Sequence, residues 1–79
     1  MKLVDHLIAS LDRGPFDQTR IRVAGIPGRA MVHVDEWSRE QVRGPWRKKI
    51  PLLCLTADEA LSLAAFLQRA AAALKQEGS

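Results

Sequence analysis

Hydrophobic residues near the N-terminus fall at Leu3, Val4, Leu7, Ile8 and Leu11, the i, i+3, i+4, i+7, i+8 spacing that lays one apolar stripe along a helix. Gly14 and Pro15 follow; the first suits the left-handed position past a last turn, and the second cannot continue the hydrogen-bond ladder. The spacing predicts a helix over about residues 2–13. After Phe16 the period drops to two. In TRIRVAG, Ile21 and Val23 share one side and Arg20 and Arg22 the other, which predicts a strand over about 19–25 with a dry face and a basic face. GIPG at 25–28 reads as a turn. AMVHVDEW resumes the alternation, with Val32 and Val34 facing one way and Met31, His33, Asp35 and Trp37 the other, so a second strand over about 29–37 closes a hairpin.

SREQVRGPWRKK is hydrophilic and bends at Gly44 and Pro45, and IPLLCL at 50–55 is a short apolar run. Pro51 near its start and the helix cap after it favour a third strand. That cap is the sharpest local signal in the chain. Thr56 and Glu59 form a capping box, with Asp58 adding negative charge at the positive end of the helix dipole, and a helix over about 57–76 follows. Ala60, Leu63, Ala64, Phe66, Leu67, Ala70, Ala71 and Leu74 occupy one broad side of it. The expected fold class is α+β: one domain over residues 1–79 in the order α-β-β-β-α, a three-stranded antiparallel sheet with the N- and C-terminal helices packed on one face. Its outer sheet face is left to Arg20, Arg22, His33 and Trp37.

Composition narrows what such a domain does. Seventy-nine residues hide only about 60% of their unfolded surface, which leaves room for one thin core and no deep catalytic cleft. The 47% apolar fraction includes eleven alanines, so bulky core residues are few. Cys54 is the only cysteine; it has no disulfide partner, and with His6 and His33 it makes no recognisable metal set. It reads as a small core residue in a reducing cytoplasm. No signal-peptide pattern and no membrane-length apolar run is present, and no cofactor is implied.

The net charge of +3 is unevenly spread. Residues 18–50 hold eight Lys and Arg against three Asp and Glu, a net of +5, and each flank carries −1. Trp37 and Trp46 sit inside that basic zone beside Arg39, Arg43, Arg47, Lys48 and Lys49. Rings that stack on bases while cations follow phosphates is one use of such a cluster, and Trp and Arg anchoring a protein interface is another. A structural role, with each Trp roofing the core edge above a solvated cationic rim, is the bland alternative. His6 and His33 lack a visible nucleophile or paired carboxylate, so the chain is read as non-enzymatic. GIPG matches the GxxG clamp of KH domains in spacing, but that loop joins helices and here strand-period segments flank it.

The predicted α-β-β-β-α order resembles the double-stranded RNA-binding domain over nearly the whole chain. That family opens its last helix with a lysine-rich motif, whereas this chain has TADEA there, so the resemblance implies the layout and not the chemistry. In size and in its Ala- and Arg-rich, Tyr-free composition, the chain also resembles small phage and mobile-element inhibitors of the anti-CRISPR kind, with no shared motif. That resemblance implies a non-enzymatic protein in a bacterial or phage-infected cytoplasm, blocking a larger host protein or nucleoprotein complex such as CRISPR effector machinery. The partner-binding residues expected are Arg20, Arg22, Trp37, Arg39, Arg43, Trp46, Arg47, Lys48 and Lys49. The alternative expectation is a nucleic-acid-binding module using the same residues. A monomer is expected ahead of a homodimer, although IPLLCL, apolar on both faces, leaves room for a second copy to complete the third strand.

Overall fold

The alternation on both sides of GIPG builds the middle of a sheet, and what flanks it extends that sheet in both directions. The computed structural model describes residues 2–78; Met1 and Ser79, the ends of the expected domain, lie outside the described residues. Four strands and one helix follow in order: β1 (Val4–Asp12), β2 (Asp17–Gly25), β3 (Met31–Ser38), β4 (Arg47–Leu55) and α1 (Ala57–Gln76). The strands form one antiparallel meander in the order β1-β2-β3-β4. The β2–β3 turn holds Gly28 at φ +83° after Pro27, and the Arg29 N–H donates to the Ile26 carbonyl at 2.8 Å. Pro followed by a positive-φ Gly is the chemistry of a type II turn.

The expected fold class is corrected on two counts. Residues 2–13 are not a helix, because β1 pairs along β2 from Val4 opposite Gly25 to Asp12 opposite Gln18. Leu7 stands opposite Arg22 and Ala9 opposite Ile21, so Ile8 is an extra residue at a bulge. The bulge shifts the alternation by one, and Val4 and Leu11 come to share a face that an unbroken strand would deny them. Seven residues is also about two helical turns, which is why the same spacing reads as a helix. An isolated helix of this length is marginal in water, while the open edge of β2 offers a full ladder of hydrogen bonds.

The second correction concerns how the sheet is covered. Opposed residues share a face, so the register puts Val4, Ala9, Leu11, Ile21, Val23, Val32, Val34, Ile50, Leu53 and Leu55 on one side. The helix does not lie over that side. It touches only β3 and β4, Ala60 and Leu63 are half-buried, and the rest of its length is exposed. Among the described residues no hydrophobic side chain is buried.

β4 begins at Arg47, three residues before the expected start, so Arg47, Lys48 and Lys49 are strand residues. It is an edge strand, the position in a sheet where the missing N–H of Pro51 is tolerated. The helix bounds agree with the capping signal. The Glu59 N–H donates to Thr56 Oγ1 at 3.2 Å and the Thr56 N–H to Glu59 Oε1 at 2.9 Å. Thr56→Ala is expected to cost about 1 kcal/mol of stability through the lost cap, measured as a lower urea midpoint at unchanged m-value.

Candidate functional site

The polar face of the sheet is organised around Asp35, the most deeply buried side chain described, at 0% exposure. Its position in β3 sets it opposite Arg20 of β2 and Pro51 of β4. Arg22 Nε donates to Asp35 Oδ2 at 2.7 Å, and Lys48 Nζ lies 3.7 Å from Oδ1. The same guanidinium reaches across to β1, where Nη1 donates to Asp5 Oδ1 at 3.0 Å. The hydrogen bond that Arg22 donates to Asp35 holds the Arg22 pKa above its ordinary value against the opposing effect of burial. Arg22 is therefore charged at every working pH, and its charge is spent inside the sheet. All four strands contribute to this cluster, and nothing in the alternation of AMVHVDEW distinguishes Asp35 from an exposed polar residue.

Next to the ion-pair cluster the flat groups gather. The Arg20 guanidinium lies 4.2 Å from the centre of the Trp37 ring and 6.0 Å from that of Trp46, and Arg39 lies 4.3 Å from Trp46. These distances are those of cation–π contacts. Arg20 is further steadied by Nε donating to Gln18 Oε1 at 2.6 Å, and Gln18 Nε2 donates to Asp12 Oδ1 at 2.8 Å. Arg39 is fixed from the other side, its Nε donating to the Pro15 carbonyl at 2.7 Å and its N–H to the Phe16 carbonyl at 3.0 Å. The loop after β3 is thereby stitched to the β1–β2 turn. Trp37 and Trp46, nine positions apart in sequence, become neighbours through Arg20.

Of the nine residues expected to bind a partner, Arg20, Trp37, Arg39 and Trp46 form this one cluster, with both rings half-buried. Lys48 stands opposite Trp37 on the same face and is 43% exposed. Arg43 is exposed on the loop between β3 and β4, and Lys49 is an extra, exposed residue at a β4 bulge. Arg47 stands opposite Ser38, on the other side of the sheet from Lys48 at this end, and with Arg39, Glu40 and Gln41 it lines a shallow depression under the loop. Arg22 is the residue that leaves the set, since its side chain is only 15% exposed and already paired twice.

Cys54 is exposed and not a core residue. It stands opposite His33 on the polar face, with Sγ 3.6 Å from Met31 Sδ and 4.0 Å from His33 Nε2. Among the described residues no group of three or more His, Cys, Asp or Glu is gathered closely enough to hold a metal ion, and no helix is long and apolar enough to cross a membrane. No family model, no curated protein and no solved structure matches this chain.

Removing the carboxylate at the centre of the face leaves the largely buried Arg22 with only the exposed Asp5 as its partner and takes away the carboxylate beside Lys48. Asp35→Ala is expected to destabilise the fold by about 3–5 kcal/mol, whereas Asp5→Ala at the exposed end of the same network costs under about 1 kcal/mol. Chemical denaturation of the two variants side by side checks the contrast.

Proposed function

We propose that the protein is a non-enzymatic module that binds single-stranded nucleic acid across the polar face of its sheet. The observation that carries this reading is the sequence of planes Trp37, Arg20, Trp46 and Arg39, with successive ring-to-guanidinium distances of 4.2, 6.0 and 4.3 Å. Indole and guanidinium planes both accept a stacked base, and they do so with little regard to its identity. Unstacked bases are needed for that contact, so the arrangement favours a single strand over a duplex. Arg43, Lys48 and Lys49 are exposed cations nearby, and both the guanidinium fork of Arg43 and the compact ammonium charges of the lysines suit phosphates. The expected setting is a reducing bacterial or phage-infected cytoplasm.

Steric inhibition of a larger host complex would draw on the same cations. We favour a polynucleotide because the guanidinium groups lying over the two Trp rings can themselves stack on bases, whereas a protein hot spot usually presents an aromatic anchor for a partner's pocket. Docking onto an acidic protein surface is the outcome if no polynucleotide binds.

Fluorescence anisotropy with labelled single-stranded DNA, duplex DNA and duplex RNA separates the two. With about three phosphates neutralised, single-strand affinity should fall about 20-fold between 50 and 200 mM salt. Trp46→Ala should weaken that binding by roughly 10-fold or more, with a melting temperature close to that of the parent. A loss of about 3 kcal/mol of stability in that variant would make Trp46 a structural ring instead. Absence of salt-dependent binding to any of the three nucleic acids would overturn the reading.

A further inference from the structure

One chain leaves far more surface uncovered than a protein of its mass can. Its accessible area is 6433 Å², against about 4,800 Å² for a compact monomer of 8.8 kDa. Its radius of gyration is 15.0 Å, against about 12 Å for a compact domain of this length. Two apolar surfaces contribute to the excess. On the dry side of the sheet, Ile21, Leu53 and Leu11 are 39%, 42% and 65% exposed, and on the apolar side of the helix Phe66 and Leu67 are 56% and 60% exposed.

From these two surfaces we infer that the protein is an obligate homodimer in which α1 of each copy lies along the apolar sheet face of the other. The dimensions agree. A helix of 20 residues is about 30 Å long, and nine-residue strands run about the same length at 3.3 Å per residue. The area agrees as well. Recovering the excess of about 1,600 Å² on each chain buries about 3,200 Å² in total, within the range of obligate homodimers. A second copy is also the occupant that satisfies both surfaces at once. Under a two-fold axis the helix-on-sheet contact is made twice, so each chain gives and receives the same cover. The short alanines at 70–73 let the backbone of the crossing helix come close to what it packs on. This inference does not depend on nucleic-acid binding, because the face it uses is opposite the Trp and Arg cluster.

Light scattering on a sizing column at about 100 μM, with circular dichroism to confirm folding, reads the state directly. The expected mass is twice that of the chain, and Phe66→Asp combined with Leu67→Asp should weaken association by on the order of 100-fold. Because that variant could lose its fold with its interface, a second experiment uses covalent trapping in a Cys54→Ser background. Chains carrying Ile21→Cys and chains carrying Leu67→Cys, unfolded and refolded together and then oxidised, should give a disulfide-linked heterodimer in higher yield than either chain gives alone. A folded monomer at 100 μM overturns the inference, whether its helix has closed on its own sheet or its apolar faces await a different protein. A dimer that survives both Asp substitutions and yields no mixed disulfide also overturns it, since the copies would then be joined elsewhere.

Discussion

A four-stranded sheet has two faces, and this chain has one helix with which to cover them. That shortage governs the structure. The residues that alternate inward along β1 to β4 make a continuous apolar surface, yet α1 leaves the end of β4 and touches only β3 and β4, so the usual stabilising term, burial of apolar area, is largely missing from a single chain. What a single chain does have is its strand ladders and the Asp35 cluster.

The two sides of the sheet accordingly do different work. On the polar side a buried carboxylate holds Arg22 and Lys48 and, through Arg22, ties β1 to β3. This pairing neutralises part of the excess charge of the central segment and fixes the sheet beside Trp37. It also sorts the cations. Arg22 serves the fold, while Arg20 and Arg39 are spread against indole rings and Arg43 and Lys49 stay in solvent. A face that is basic, flat and internally braced is thus set back to back with a face that is apolar and uncovered.

The candidate site was legible in outline. The clustering of Trp37 and Trp46 with Arg39 follows from their closeness in sequence, and the period of TRIRVAG put Arg20 on the same sheet face as Trp37. Asp35 was hidden because an acidic residue on a polar strand face looks the same whether water or two cations surround it. Arg22 was over-read for the same reason, since its partner Asp5 lies 17 positions away in a segment whose spacing reads as helix. Cys54, taken for a core residue, is exposed because the polar side of β4 is where the bulged register leaves it.

Features that rest on local chemistry were legible along the chain. A capping box and helix-forming residues define α1 to its ends, a Pro-Gly turn joins β2 to β3, and strict alternation gives those two strands their faces. Tertiary structure decided the rest, because the deciding partners are remote. A seven-residue apolar interval suits two helical turns or a strand with one bulge, and only the open edge of β2 selected the strand for β1. Whether the helix folds over its own sheet depends on the angle at which it leaves β4, and α1 touches only β3 and β4. That angle leaves the apolar face bare.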